Sequence, residues 1–570
     1  MKTINLMTIT GVAAAALMWG TGQSYAQYVP PPQLVPGVDY SLPNYANSPL
    51  LTKFVDALPG FSPAGANLLG NYIPIAVPDT TTYAGSDYYE IALVDYTQQM
   101  HSELLPTKLR GYVQLSTAVV PGAQIPLFYA DGVTPILING VQAKAVDKPR
   151  YLGPTIIATK DKATRIKFYN LLPAGTAGDL YIPTDVTVMG AGKGSDGTAY
   201  TQNRATLHLH GGDNPWISDG TAHQWITPAG ETATLKKGVS QQNVPDMPVP
   251  ATGSATFYWP NGQSGRLMFY HDHAMGMTRL NVYAGEAAGY LLVDPAERPL
   301  NAFALGGEIP LVIQDKTFVW GTPGTFNAAT GFWNPGTGTY STDPLWASNT
   351  KWGQTMGSLW FPHVYMPNQN PNDLSGANPM GRLDYGAWFW PVFPSMAPPK
   401  TSIVPEGFMD TPIINGAAYP YLNVDPVAYR FRILNACNDR FVNLQLYVAS
   451  SIISGITVTL PPTNNPATYT VPPRVTITPA TGDTTGQGAT AVAILDTDPG
   501  TTIVHNPTFG QVTNITLTIV GSGYTSAPTV TIAPSPFGGV VATATATLWT
   551  NQTEVGMVQA DINSATTAWP

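Results

Sequence analysis

Two pairs of histidines are the residues of this 570-residue sequence best suited to chemistry. Each pair has the form His-x-His: His208 and His210 make the first, and His271 and His273 make the second. Residues i and i+2 of a β-strand point to the same face, so each pair directs two imidazoles to one place. Two such strands side by side would form a cluster of four imidazoles, which suits copper, zinc, iron or nickel.

The composition of the whole chain favours strands as the elements that carry these histidines. Charged residues make up 11% of the sequence, and it contains 55 Gly and 54 Pro, which suits short strands joined by turns. Residues 89–94 and 164–169 are typical strand segments, and the second alternates polar and apolar residues. We therefore predict an all-β protein that is long enough for two to four domains.

The N-terminus has the pattern of an export signal. Lys2 precedes a short, mostly apolar stretch at 9–19, and Ser24-Tyr25-Ala26 resembles a cleavage site. The stretch is short for a membrane span, although an uncleaved anchor is the alternative. We predict an exported protein, periplasmic or extracellular, with no membrane span after cleavage. The net charge of −9 and the lack of a basic run argue against a nucleic-acid partner.

Changes in composition along the chain predict five segments. They are a signal peptide at 1–26, a Pro-rich arm at 27–85, a first domain at 86–297, a second domain at 298–451 that continues in 550–570, and an inserted module at 452–549. The module is rich in Thr, Val, Ala, Gly and Pro, and its segment 469–477 recurs as 524–532. We predict that it is a folded β-repeat module with an accessory role, with a disordered linker as the alternative.

The remaining histidines and the single cysteine give weaker signals. Cys437 excludes an internal disulfide, and no histidine is near it in sequence, so a small buried thiol is favoured over a metal ligand. Four histidines have no paired partner and are predicted to be structural: His101, His223, His363 and His505.

The residues around the two pairs resemble the first two copper-binding motifs of the multicopper oxidases, in the bacterial laccase and bilirubin-oxidase branch. The first pair leads into 214–225 and the second into 274–285, and both stretches share the resemblance. It extends over about 88–451, and to the last twenty residues in part, but not over the repeat module. The resemblance implies domains that are cupredoxin-like Greek-key β-sandwiches.

The resemblance also implies a reaction and a set of ligands. In this family a type 1 copper takes single electrons from a reducing substrate and passes them to a trinuclear cluster, which reduces dioxygen to water. By motif, His208 would bind the type 2 copper, and His210, His271 and His273 would bind the type 3 pair.

Two acidic residues beside the histidines have more than one interpretation. By resemblance, Asp219 is the acid that holds a water near the type 2 copper and helps to deliver protons. A turn residue before Gly220 explains Asp219 equally well. Asp272 lies between two ligands and points away from them, where it could orient a neighbouring group or pair with Arg279.

The sequence departs from the family in lacking its other two motifs. Neither His-x-x-His-x-His nor His-Cys-His-x-x-x-His occurs, so the type 1 site and half of the cluster histidines are missing. We therefore predict the N-terminal portion of a multicopper oxidase, inactive as the isolated chain and completed by a further cupredoxin domain in cis or in trans. Its partners would be dioxygen and a small reducing substrate: a phenol, a pigment or a metal ion.

Two other functions remain open at this point. The chain could be a non-enzymatic exported copper-binding or surface protein that uses the same histidines. It could also be a mononuclear zinc or copper hydrolase, although the expected general-base motif is missing.

Overall fold

The computed structural model describes most of the chain from residue 48 onwards. The described ranges are 48–186, 188–192, 198–297, 306–319, 326–327, 332–333, 357–365, 401–403, 407–445, 447–449, 452–462, 465–497, 509–548 and 557–559. The predicted signal peptide, the start of the arm, His505, most of 320–400 and most of 550–570 lie outside them. Within the described ranges, no helix combines the length and the apolar character that crossing a membrane needs.

The chain divides into two compact units. One comprises residues 1–51, 56–423 and 427–440, and the other comprises 52–55, 424–426 and 441–570. The domain boundaries proposed from the sequence remain predictions.

The first unit begins with a sandwich of two four-stranded sheets. The strands and helix of this part of the chain are β1 (Ser86–Gln98), β2 (Thr107–Gln114), β3 (Ile125–Pro126), β4 (Leu137–Ile138), β5 (Val141–Gln142), β6 (Lys144–Ala145), β7 (Leu152–Thr159), β8 (Ala163–Asn170), β9 (His208–His210), β10 (Ser254–Trp259), β11 (Arg266–His271), α1 (Thr278–Ala284) and β12 (Ala287–Val293). The short strands form two ribbons beside the sandwich sheets, β3 with β6 and β4 with β5. One sheet has the order β10-β8-β1-β2 and the other β7-β12-β11-β9, each with one parallel pair. This order leaves β9 at an edge.

The core of the sandwich lies between these two sheets. Alternate residues of each strand face inward, and the side chains of both sheets meet in one apolar cluster that includes Phe168, Trp259, Tyr270 and Tyr290. Because β-strands alternate their side chains, the residues next to these core positions face out of the sandwich. The histidines of β9 and β11 occupy such outward positions, which fixes them on a rigid support.

A five-stranded sheet follows the sandwich in sequence within the first unit. The strands of this part of the chain are β13 (Glu308–Phe318), β14 (Phe326–Asn327), β15 (Phe332–Trp333), β16 (Leu359–Trp360), β17 (His363–Tyr365), β18 (Thr401–Ile403), β19 (Thr411–Ile414), β20 (Ala417–Ala418), β21 (Arg430–Asn435) and β22 (Tyr447–Ala449), the last of which belongs to the other unit. The sheet contains β13, β16, β19, β20 and β21, whereas β14 pairs only with β15 and β17 only with β18 among the described strands. The strand β13 is central and pairs with β16, β19 and β21. The hydroxyl of Tyr283 on α1 donates to the Trp360 carbonyl at 2.7 Å, which joins this sheet to the sandwich.

The second unit contains the β-repeat module. Its strands are β23 (Ile453–Thr459), β24 (Val475–Thr478), β25 (Gln487–Leu495), β26 (Val512–Ser522), β27 (Thr529–Ile532), β28 (Thr543–Leu548) and β29 (Met557–Gln559). The first half, β23–β25, and the second half, β26–β28, are interlaced: β23 pairs with β28, β24 with β27, and β25 with β26. Every one of these pairings joins one half to the other.

The side chains of the module alternate strictly between the two faces of its four-stranded sheet. Ile456, Val458 and Ile477 point into an apolar core around Ile453 and Tyr469. The threonines between them are exposed on the opposite face: Thr457, Thr459, Thr476, Thr478, Thr529, Thr531, Thr543, Thr545 and Thr547. The prediction of an all-β protein with sandwich architecture and a β-repeat module is confirmed.

Candidate metal centre

The two histidine pairs meet where β9 and β11 run side by side. The strands are antiparallel, with His208 opposite His271 and His210 opposite Phe269. The residues between these positions, Leu209 and Tyr270, are fully buried in the sandwich core. The alternation of the two strands therefore turns three imidazoles to one side, as the His-x-His spacing predicts.

The fourth imidazole reaches the same place by a different route. The strand β11 ends at His271, so His273 lies in the turn that leads to α1 rather than on a strand. This corrects the expectation that each pair lies on one strand. The His273 ring still lies beside the others, 4.9 Å from the His208 ring and 6.0 Å from the His271 ring between centroids.

The ring nitrogens of three histidines are close enough to share a metal ion. One nitrogen from each of His208, His210 and His271 lies within 4.8 Å of the others. The His210 Nδ1 atom is 3.2 Å from the His271 Nε2 atom. The Nδ1 atom of His273 is buried and has no hydrogen-bond partner among the described residues. This set of nitrogen donors fits copper or another imidazole-binding transition metal.

Backbone carbonyls fix the orientation of two of the rings. The Nδ1 atom of His208 lies 2.6 Å from the Asp219 carbonyl oxygen, and that of His271 lies 2.7 Å from the Asp272 carbonyl oxygen. A proton on Nδ1 that is donated to a carbonyl leaves Nε2 with a free lone pair. Metal-binding histidines are held in this way, so these two rings are oriented for a ligand before any metal binds.

Burial keeps two imidazoles of the cluster, those of His208 and His271, in the neutral form. Burial, opposed by the Asp272 carbonyl and helped by the neighbouring histidines, lowers the pKa of His271 to about 3. Burial is also the main cause that lowers the pKa of His208, against the opposing effect of Asp219. Neutral imidazole is the form that binds metal, so these two residues are ready for a ligand role at neutral pH.

Asp219 lies beside the first histidine and also ends a turn. Its side-chain Oδ1 atom is 3.7 Å from His208 Nδ1, and the side chain is partly exposed. It follows the short 3-10 turn Trp216–Ser218 and precedes Gly220, whose φ is 68°. A Cβ atom at Gly220 would overlap the Leu207 carbonyl. The two interpretations of Asp219 are thus compatible, and its role toward water and protons stays a prediction.

The hydrogen bonds of Asp272 distinguish between its two predicted roles, orienting a neighbouring group and pairing with Arg279. Its buried carboxylate accepts hydrogen bonds from the backbone of Thr206 and Ala274 and from the Asn281 side chain. Arg279 instead pairs with Asp439, at 2.9 Å. Asp272 therefore orients neighbouring groups.

Sequence reasoning missed a buried arginine behind the cluster. Arg204 donates to the carbonyls of Thr201, Gly190 and Met275, and its guanidinium lies over the rings of Tyr200 and Trp225. Burial lowers its pKa to about 10. The sequence offered one signal for this residue, its position four residues before His208. That signal is weak, because arginines are common just before strands.

The other histidines and the cysteine lie outside the cluster. His101 and His363 are buried, and the Nδ1 atom of each is within hydrogen-bond distance of nearby backbone. His223 is exposed. Cys437 is only partly buried, and its sulfur lies 3.7 Å from the Ile313 carbonyl oxygen.

Comparison with known proteins supplies a further line of observation. The chain is 27% identical to a laccase of Bacillus subtilis over 396 residues, which is 70% of this chain and 52% of the laccase. It is 28% identical to a laccase of Bacillus stratosphericus over the same shares. A laccase structure from Pediococcus acidilactici aligns with a TM-score of 0.32 at 15% identity, covering 74% of this chain and 53% of that one. No protein-family model matches the chain.

The resemblance to multicopper oxidases that the sequence predicts is confirmed by these relatives. The chain spans about half the length of the curated relatives it matches, in their N-terminal portion. The ligand roles of the four histidines stay predictions.

Proposed function

We propose that this chain supplies the first half of the oxygen-reducing copper centre of an exported multicopper oxidase. The observation that carries the proposal is the meeting of four imidazoles at one edge of the sandwich, three of them with ring nitrogens within 4.8 Å. The similarity to laccases supports copper as the metal.

Each residue of the cluster has a role in this proposal. His208 binds the type 2 copper, while His210, His271 and His273 bind the type 3 pair. Copper bound there supplies the one-electron chemistry that couples oxidation of a reducing substrate to reduction of dioxygen to water. The carbonyls of Asp219 and Asp272 hold two of the rings in a fixed orientation, which keeps the ligands rigid. The partly exposed Asp219 carboxylate holds a water and passes protons toward the cluster.

A further cupredoxin domain, in cis or in trans, completes the centre under this proposal. It supplies the motifs His-x-x-His-x-His and His-Cys-His-x-x-x-His, which are missing from the printed sequence. The electron donor, a phenol, a pigment or a metal ion, docks near the type 1 copper of that domain. The isolated 570-residue chain is accordingly inactive, and the protein acts in the periplasm or outside the cell.

Copper content tests the ligand assignment. The full chain is loaded with Cu(II), freed of excess metal, and analysed for copper per chain. We expect H271A and the double variant H271A/H273A to lose bound copper. The matched control is H223A, which removes an exposed histidine outside the cluster and should leave the copper content unchanged. Full copper content in the cluster variants contradicts the assignment.

Oxygen consumption tests the need for a further domain. Copper-loaded chain alone should oxidise no phenol, because the site that accepts electrons is missing. Robust oxidation of a phenol with uptake of dioxygen by the isolated chain would show this part of the proposal to be wrong.

A further inference from the structure

We propose that Asp272 is a positioning residue that holds the two histidine pairs in register for metal binding. This inference rests on the proposed function, because it assigns Asp272 a part in building the same copper centre. Asp272 does not face the cluster itself; it acts through the backbone that carries the histidines.

The Asp272 carboxylate bridges the two histidine segments directly. It accepts from the Thr206 backbone N–H at 2.9 Å, two residues before His208. It also accepts from the Ala274 backbone N–H at 3.0 Å, one residue after His273. One buried side chain thereby connects the segment that precedes the first histidine pair to the segment that follows the second.

The hydrogen bonds of Asp272 hold the two segments of backbone that strand pairing does not hold, one before His208 and one around His273. The strand β9 is three residues long, lies at the edge of its sheet, and pairs with β11 only from His208 to His210. No strand pairing reaches His273, because β11 ends at His271. The two backbone hydrogen bonds of Asp272 extend the connection beyond the strands on both sides.

Helix α1 anchors the carboxylate from a third direction. The Asn281 side-chain amide donates to Asp272 at 3.0 Å, and it also lies 3.4 Å from the Arg204 carbonyl. Arg204 in turn donates to the Met275 carbonyl at 3.2 Å, two residues after His273. The turn that carries His273 is therefore held by Asp272 on one side and by Arg204 on the other.

Because Asp272 is fully buried, its carboxylate depends on its hydrogen-bond donors and is held firmly in position by them. A buried carboxylate is costly unless hydrogen bonds compensate for lost water, and here three different donors do so. An asparagine has nearly the same shape but only one acceptor oxygen, and its amide would face a donor. In one orientation the amide faces the Thr206 N–H, and in the other it faces the Ala274 N–H and the Asn281 amide, so D272N should weaken the bridge on at least one side without changing the packing volume.

The experiment compares D272N with E231Q in the full chain. Glu231 is also buried, and it accepts from the backbone of Gly175 and Thr232 and from the Asn203 side chain, each at 2.8 Å. It bonds to neither histidine motif, so E231Q makes the same chemical change without touching the cluster. Competition with a Cu(II) chelator gives the affinity, electron paramagnetic resonance reports the copper geometry, and thermal unfolding reports the stability.

We expect D272N to weaken Cu(II) binding by about 10–100-fold and to change the copper spectrum, as loss of a group that orients a metal ligand does. E231Q should lower stability while leaving Cu(II) affinity and spectrum unchanged. Equal Cu(II) affinity in D272N, E231Q and the unaltered chain overturns the inference. If D272N does not fold, N281A removes one donor only and should move affinity and spectrum in the same direction by less.

A metal-free measurement separates this inference from the proposed function. Histidine-ring NMR signals of the apo chain should shift for His208 and His273 in D272N and stay in place in E231Q. Unmoved signals overturn the positioning role whatever the copper result. Failure of the unaltered chain to bind Cu(II) overturns the proposed function, and the NMR comparison then decides the positioning role alone.

Discussion

The sandwich and the repeat module are both built of strands, but they differ in how many polar side chains they bury. The sandwich buries several charged groups, among them Arg110, Arg204, Asp272 and Glu286. In the described part of the module from 452 to 548, Gln511 is the one polar side chain that is buried. The described threonines there are exposed, and so are several aliphatic side chains of the paired strands β25 and β26, among them Val492, Ile494 and Ile519.

We attribute the difference to what each region must do. The module needs only to be stable, whereas the sandwich must also hold the histidine side chains in place. Burying a charge costs free energy unless hydrogen bonds compensate, so alternation alone is the less costly solution. The four-stranded sheet of the module uses that solution. The sandwich departs from it close to the histidine pairs, where Asp272 and Arg204 connect loops that strand pairing does not reach.

A glycine in each region gives the sharpest contrast and the largest expected effect. Gly220 has a φ of 68° and Gly482 has a φ of 89°, so alanine costs about 1–2 kcal/mol at either position. At Gly220 the new Cβ would also overlap the Leu207 carbonyl, whereas at Gly482 it meets no atom within 4 Å. G220A should therefore lower stability far more than G482A, as measured by hydrogen exchange localised to each region. Equal losses would contradict the comparison.

The pH dependence of stability should differ because the first unit buries a lysine. Lys316 is fully buried, its Nζ donates to the Tyr283 carbonyl at 2.6 Å, and burial lowers its pKa to about 7. Asp315 and Cys437 oppose that shift only in part. Between pH 7 and 10 the unfolded chain holds a proton that the folded chain has lost, so the free energy of unfolding rises with pH.

The variant K316M isolates this contribution. The stability of K316M relative to the unaltered chain should be highest below pH 7 and should fall by on the order of 2–4 kcal/mol toward pH 10. Urea unfolding at a series of pH values measures the difference. K148M, which removes an exposed lysine, serves as the control and should follow the unaltered chain. A constant difference between K316M and the unaltered chain would rule out the shift.

The smallest expected effect comes from one substitution made in both regions. Thr164 is buried in the sandwich, and its hydroxyl lies 3.0 Å from the Tyr290 hydroxyl and 3.1 Å from the Asn261 amide. T164V should cost about 1–3 kcal/mol because it removes two buried hydrogen bonds, although the Tyr290 hydroxyl still donates to Asn261 and the Asn261 amide to the Lys162 carbonyl. Thr545 is exposed in the module, and T545V should change stability by less than about 0.5 kcal/mol. Chemical denaturation that ranks the two variants in the reverse order would refute the contrast.

The sequence was sufficient to predict the strands and the meeting of the histidines. The segments at 89–94 and 164–169 lie within β1 and β8, and alternation with β-branched and aromatic residues identifies them. The His-x-His spacing predicts a shared face, which β9 realises fully. These features depend on neighbours in sequence, and a local pattern can therefore reveal them.

What the sequence did not reveal depends on contacts between distant segments. Asp272 meets Thr206 across 66 residues, and nothing in the order His271-Asp272-His273 specifies that partner. The end of β11 at His271 likewise follows from the turn that Asp272 closes with Ala274. The repeat at 469–477 and 524–532 was visible, but the pairing of β24 with β27 was not.

The interlaced pairing in the module has a consequence for how such a segment can grow or shrink in evolution. Since β23 pairs with β28, β24 with β27 and β25 with β26, each half finds all of these partners in the other half. Loss of one half by recombination would leave three strands without these partners, although β27 and β28 also pair with each other. We expect a single repeat to regain the missing pairings by associating with a second copy, so the duplication lets one chain complete them by itself.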